Sequence, residues 1–237
     1  MKRIIVLLFV ATMLAVTAGA LYAGDTIYGI TGLIETPSAT TASLGNIDLG
    51  IRYINDVGDS SASAMTYGGS FGLLPKLEVS GVMVDSDAEG VDAQGVLNFK
   101  YEILGETLVT PAIAVGAVDL TNRAKDFGAG DDEISAFVVV GKNLTSAAEA
   151  VAGSVIKPLR GTIGTGTGLY RGIFAGLDYA LTSELNIKVE YLAHGLRDDS
   201  SFNAGVRYGV GSGFSVEAGA LGMKDFYAGA NYNVIRF

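Results

Sequence analysis

From Asn46 onward, hydrophobic and polar positions alternate with a period of two. Ile47, Leu49, Ile51 and Tyr53 are interleaved with Asn46, Asp48, Gly50 and Arg52. Successive side chains of a strand point to opposite faces, so this pattern predicts strands with one oily and one wet side. Met65, Tyr67, Phe71 and Leu73 alternate with Thr66, Gly68, Ser70 and Gly72. A less regular strand sets Leu77, Val79 and Met83 against Glu78 and Ser80, and the next sets Leu97, Phe99, Tyr101 and Ile103 against Asn98, Lys100 and Glu102. Ile173, Ala175, Leu177 and Tyr179 face away from Gly176 and Asp178; Leu185, Ile187, Val189 and Tyr191 from Asn186, Lys188 and Glu190. Phe202, Ala204, Val206 and Tyr208 oppose Asn203, Gly205 and Arg207, and Phe214, Val216, Ala218 and Ala220 oppose Ser215, Glu217 and Gly219. The last run places Phe226, Ala228, Ala230, Tyr232 and Val234 against Tyr227, Gly229, Asn231 and Asn233. Leu108 to Val118 and Glu133 to Gly141 are more uniformly apolar, so their faces are ambiguous, and Arg160 to Gly166 is short and rich in Gly and Thr. The total is about twelve strands, in a range of roughly 10 to 14.

The connections follow the strand count. Leu74 to Lys76, Leu104 to Glu106, Thr182 to Glu184 and Gly211 to Gly213, each after an even strand, are tight turns. Asp56 to Ser63, Asp85 to Asp92, Asp119 to Asp132 and Gly195 to Ser201, each after an odd strand, are longer and acidic. Short turns at one end and long loops at the other are the signature of an outer-membrane barrel. Lys142 to Leu159 breaks the rule, and Thr145 to Ala152 within it suits a short helix capped by Thr145 or Ser146.

Composition sharpens the choice between lipid and water. Of 237 residues, 49% are hydrophobic, and mean hydropathy is +0.38. Yet beyond the N-terminus no apolar run approaches the roughly 20 residues of a spanning helix. Hydrophobicity spread in alternating form reaches lipid only through strands closed on themselves. A soluble sandwich also alternates; three further features together favour the membrane. Residues 1–23 read as a secretory signal peptide, with Lys2 and Arg3, an apolar stretch from Ile4 to about Val16, and cleavage after Ala20 or Ala23. The chain ends on Phe237, and Gly229, Tyr232 and Phe237 are similar to the terminal-strand signal that barrel-assembly machinery reads, although Ile235 and Arg236 interrupt the alternation. The third is the alternation of loop lengths. Tyr53, Tyr101, Tyr179, Tyr191, Tyr208 and Tyr232 near strand ends suit interfacial girdles. The expectation is an all-β chain: signal peptide 1–23, a segment 24–45 at or in the lumen, and a transmembrane antiparallel β-barrel over 46–237. It lies in the bacterial outer membrane, against lipid and lipopolysaccharide. The net charge of −9 argues against nucleic acid. Without cysteine there is no disulfide, thiolate metal site or lipoprotein anchor.

The polar faces carry the candidate chemistry. Asp48, Arg52, Glu78, Lys100, Glu102, Asp178, Lys188, Glu190, Arg207 and Glu217 all fall on the side predicted to face the lumen. Burying ions unpaired costs several kcal/mol each, so Lys100 and Lys188 are expected to pair with neighbouring carboxylates. Glycines on the same face leave room for residues 24–45 to enter as a plug. His194 is the sole histidine, with Asp198 and Asp199 close in sequence, but no motif marks a nucleophile, and a histidine at the rim is the favoured reading. Asp85 to Gly90 matches half of a calcium loop, yet position twelve falls on Val96. Gly164 to Gly168 lacks the Gly-Lys-Ser/Thr ending of a phosphate cradle. No catalytic residue, metal site or cofactor is expected.

The stretch Tyr28 to Ala39, with Gly29, Thr31, Gly32, Leu33, Ile34, Thr36 and Pro37, resembles the opening motif of the YjbH-like family of bacterial outer-membrane proteins. Asn98 to Leu104, Pro111 to Ala117 and the pair Glu190-Tyr191 are also similar, so the likeness is scattered over most of the mature chain. The resemblance implies a non-enzymatic envelope role associated with exopolysaccharide export, with polysaccharide as a partner. The residues themselves leave three functions open: a narrow polar pore, a structural or surface-interaction barrel with acidic ion- or partner-binding loops, and a barrel hydrolase using His194.

Overall fold

A computed structural model describes residues 24–57, 62–88, 90, 92–123, 134–146, 148, 150, 157–195 and 200–235. The expected export signal and Phe237 lie outside the described residues, as do Glu89, Asp198 and Asp199. Twelve strands form in chain order: β1 (Ile47–Val57), β2 (Ala62–Leu74), β3 (Leu77–Ser86), β4 (Gln94–Leu104), β5 (Ala112–Val118), β6 (Ser135–Asn143), β7 (Leu159–Gly166), β8 (Gly172–Ala180), β9 (Leu185–Leu192), β10 (Ser201–Gly211), β11 (Phe214–Leu221) and β12 (Asp225–Ile235). Each pairs antiparallel with the next, and β12 returns to β1 to close the barrel. At this seam Leu49 lies opposite Tyr232, Ile51 opposite Ala230 and Tyr53 opposite Ala228. Closure gives every strand two partners and leaves no row of bare N–H and C=O groups facing lipid.

The burial pattern is inverted relative to a water-soluble protein. Leu97 is 57% exposed, Ile173 58% and Phe202 64%, whereas Glu78 and Lys100 are fully buried. Apolar side chains on the outside and ions on the inside require lipid around the barrel. Glu102 and Asp178 take the inward parity near the end where β1 begins and β12 finishes, here the lower rim, and are half-buried. The other eight charged positions of the polar faces are buried.

The ambiguous strands resolve by what lies inside. Ala112, Ala114 and Val118 of β5 and Phe137 and Val139 of β6 point inward and are buried. Phe174 of β8 joins them, and the Tyr170 ring packs against both Phe137 and Phe174. Away from the rim the lumen wall is therefore largely apolar over β5, β6 and β8, and polar or charged over β9–β12 and β1–β4. The register places Gly164 opposite Phe174 and Val139, and a Cβ at Gly164 would lie 2.1 Å from Phe174 Cζ. The Gly-rich stretch 164–168 thus makes room for inward aromatic rings.

Two upper connections are shorter than loop alternation predicts. The β7–β8 link holds a 3-10 turn, Gly168–Tyr170, that turns Tyr170 into the interior, and β11–β12 is joined by Gly222 to Lys224. After β6 the chain is helical at Ser146, Ala148 and Ala150; the rest of the expected helix lies outside the described residues. The N–H groups that a cap at Thr145 or Ser146 would bind include those of Ala147 and Glu149, which lie outside the described residues. Asn143 Oδ1 accepts the Thr145 N–H at 3.1 Å and the Thr145 hydroxyl at 2.8 Å, because Asn143 ends β6 with its side chain free to turn back on the next residues.

Gly229 shows how tightly the seam is built. A Cβ there would lie 2.7 Å from Arg52 Cγ and 2.8 Å from Ile51 O. Gly229→Val is expected to destabilise the folded barrel by about 1–3 kcal/mol through overpacking, read as a lower temperature for loss of the compact, heat-modifiable gel band. Ala230→Val, on the lipid side of the same strand, is expected to leave that temperature unchanged.

Candidate functional site

Residues 24–45 form no strand; they enter the barrel. Gly24 to Pro37 are buried throughout and fold back on themselves. Thr26 N–H donates to Ile30 O at 2.7 Å, Ile27 N–H to Ile34 O at 2.8 Å, and Gly32 N–H to Gly24 O at 2.9 Å. The reversals need glycine at two places. Gly29 has φ +82°, and a Cβ at Gly32 would lie 2.2 Å from Thr36 O and 2.6 Å from Thr26 Cγ2. The plug then leaves the lumen at the lower rim, where Gly45 N–H donates to Gly72 O at 2.8 Å and the chain becomes β1.

These internal bonds leave backbone groups of residues 31–36 pointing at the wall, where each needs a partner. The inward ions supply them. Glu190 of β9 accepts the N–H groups of Ile34, Glu35 and Thr36 at 3.2, 2.8 and 3.1 Å, and the Thr36 hydroxyl at 2.8 Å. Asn203 of β10 donates to Glu190 at 2.9 Å and to Glu35 at 2.7 Å. Glu78 of β3 accepts the N–H groups of Thr31 and Ala42, each at 2.8 Å, and the Thr31 hydroxyl. Lys100 of β4 donates to Thr31 O at 2.7 Å and pairs with Glu78 at 3.5 Å. Hydrogen bonds to ionised groups are the stronger kind, so two carboxylates on opposite walls hold the plug at Thr31 and at Thr36.

Lys188 departs from the expected carboxylate pairing. It donates to Leu33 O at 3.0 Å and makes no ion pair among the described residues. The reason is the neighbourhood: its register neighbours across β8 and β10 are Asp178 and Gly205, and Asp178 is engaged by Asn186 at 2.7 Å at the rim. A third hold lies where β10, β11, β12 and β1 meet. Arg52 and Arg207 both bind Glu217, at 2.6 Å each. Both also donate to Asp25 O, at 2.8 and 3.3 Å, and Arg52 reaches Asn231 Oδ1 at 2.6 Å. One carboxylate between two guanidiniums satisfies charges that would otherwise be costly inside a barrel. Asp48 is held by Asn46 and Asn233 at 2.9 and 2.8 Å, and Glu102 meets Lys76 at 3.7 Å at the lower rim.

The apolar half of the wall takes the plug's other side. Leu33 packs so closely on Gly176 of β8 that a Cβ there would be 2.5 Å from its Cδ2, and Ala39 sits against Gly141 of β6. Tyr170 donates to Glu35 O at 3.2 Å, and Tyr28 to Glu35 Oε2 at 3.0 Å. Burial pushes both tyrosine hydroxyls well above their ordinary range, so they remain donors. Asn98 donates to Tyr28 O at 2.7 Å, so Asp25, Glu35, Asn98, Asn203 and Tyr170 are site residues beyond the charged positions read from the pattern. Asn98 and Asn203 stand on polar faces, so the same alternation marks them. Asp25 and Glu35 lie in a stretch with no period.

His194 is half-buried beside β9. Asp87 receives the Ser63 hydroxyl at 2.8 Å, and among the described residues no group of three His, Asp or Glu side chains is placed to hold a metal ion. Gly229 and Tyr232 face inward and outward on β12.

Removing the Glu190 carboxylate strands three backbone N–H groups in the lumen. Glu190→Ala is expected to loosen the plug by about 3 kcal/mol, so amide exchange at Ile34, Glu35 and Thr36 speeds up roughly a hundredfold in detergent while β1–β12 exchange as before. Asp178→Asn serves as the control, touching none of these residues. Unchanged exchange in Glu190→Ala refutes the assigned grip.

A scan against protein-family models matches none, and a search of curated proteins finds no match. Solved structures do match. A KdgM porin aligns with a TM-score of 0.51 and 10% identity, covering 80% of this chain and 99% of its own. A KdgM porin in complex with disordered oligogalacturonate aligns with a TM-score of 0.49 and 12% identity over the same shares. At such identity the likeness shows the fold alone: a closed, twelve-stranded antiparallel barrel of the outer-membrane kind.

Proposed function

We propose that this chain is a non-enzymatic outer-membrane pore whose passage is closed by its own residues 24–45. The observation that carries this reading is the way the inward ions are used. Glu78, Lys100, Lys188 and Glu190 bind backbone groups of the plug. The ions that would line an open passage hold the plug in the closed one, and plug departure uncovers them to water. On the polar side the seat is made of hydrogen bonds, many of them to side chains that water can solvate once exposed, so that part of the hold is reversible in kind. The porin-type fold supports a conducting role. The resemblance of Tyr28 to Ala39 to the YjbH-like motif supports exopolysaccharide export as the setting, with polysaccharide, lipopolysaccharide and barrel-assembly machinery as partners in the outer membrane.

A second reading has its own support, since a barrel this fully packed serves equally as a closed scaffold displaying acidic loops. Planar-bilayer conductance separates the two. The intact chain is expected to open rarely, and the chain lacking 24–45 to show frequent discrete steps; a folded but silent deletion variant favours the scaffold. His194→Ala is expected to change neither conductance nor any lipid or peptide turnover.

A further inference from the structure

Asp25 is the charged group of the plug that the wall treats least well. Its main-chain carbonyl is held by Arg52 and Arg207, but its carboxyl receives one hydrogen bond, from the Ser70 hydroxyl to Oδ1 at 2.8 Å. Oδ2 is buried and takes no hydrogen bond among the described residues. The charged groups around it come from four strands. Asp48 and Arg52 face it from β1, Glu78 from β3, Lys100 from β4 and Arg207 from β10. The cations are committed elsewhere, Arg52 and Arg207 to Glu217 and Lys100 to Glu78. An ionised Asp25 would therefore place a third negative charge near Asp48 and Glu78 with no donor on Oδ2. A protonated Asp25 removes that charge and turns the bare oxygen into a hydroxyl.

We infer that the plug is seated with Asp25 protonated, and that loss of this proton is what favours its release. The inference rests on the plugged-pore reading and assigns its regulation. Burial first, and then the charges of Asp48 and Glu78, push the Asp25 carboxyl up from 3.8 to about 8, against the pull of Arg52 and Ser70. Released into water, the carboxyl returns to its ordinary value. The seated plug therefore binds this proton more tightly than the released one. Its hold is fully present below about pH 4, falls as pH rises, and levels off above about 8. One proton sets a ceiling of about tenfold per pH unit on the change in release.

The test is conductance of the full-length chain in planar bilayers, in symmetric salt, from about pH 5 to pH 9. The open fraction of the wild type is expected to rise with pH by at most about tenfold per unit and to flatten above about pH 8. Asp25→Asn, similar in shape and uncharged at every pH, is expected to stay as closed at pH 9 as the wild type is at pH 5. Gly32→Leu, which breaks the plug's own fold, is expected to conduct throughout the range. A wild type that stays shut at all pH while Gly32→Leu conducts overturns the proton control and leaves the plugged pore standing. So does an Asp25→Asn variant with the wild-type pH profile. Folded chains of which none conducts, Gly32→Leu included, overturn both.

Discussion

Ions shut inside a barrel must find partners, and here a piece of backbone supplies them. Glu190 gathers three consecutive N–H groups of the plug, and Glu78 takes the N–H groups of Thr31 and Ala42. The dependence is mutual. The plug has no strand or helix to absorb its amides, and the wall has more ions than wall-to-wall pairs. Either part alone would leave buried polar groups unsatisfied, at a cost of about 1–3 kcal/mol for each orphaned donor.

That exchange explains the uneven lumen. A plug has two sides, and a wall of uniform polarity would serve only one of them. The polar arc of β9–β12 and β1–β4 takes the backbone and Asp25, while on the other arc Gly176 receives Leu33, Gly141 receives Ala39, and Phe137, Val139 and Phe174 share one buried core with Ile34 and Ala39. Glycines at 141 and 176 set the clearance on the apolar side. Tyr170, delivered by the short β7–β8 turn, bridges the two by packing edge-on to Phe137 and tilted to Phe174 while donating to Glu35 O.

The same arrangement shapes the functional reading. The plug's apolar side is held by burial, whereas its polar side is held by charge-assisted hydrogen bonds to groups that water can replace. Its weakest point is Asp25, whose carbonyl is gripped by two arginines while its carboxyl stands among acids. The holds at Thr31 and Thr36 are thus well satisfied, whereas the one at Asp25 leaves a buried carboxyl oxygen without a donor among the described residues.

The sequence by itself determined the barrel. The strands, their approximate number and the inward parity of Asp48, Arg52, Glu78 and Lys100 are all local facts, because a two-residue repeat decides which face a side chain takes without reference to any other strand. Where that repeat failed, so did legibility. The inward faces of β5 and β6 stayed open because apolar residues occupy both sides, and Asp25 and Glu35 lie in a stretch with no period at all. Only the tertiary structure decided which ion meets which group. Glu190 holds Ile34 to Thr36 across 154 to 156 residues of chain, and Lys188 finds the Leu33 carbonyl instead of a carboxylate. Those meetings depend on the register accumulated around twelve strands and on the fold of an aperiodic segment, and neither is written in the spacing of neighbouring residues.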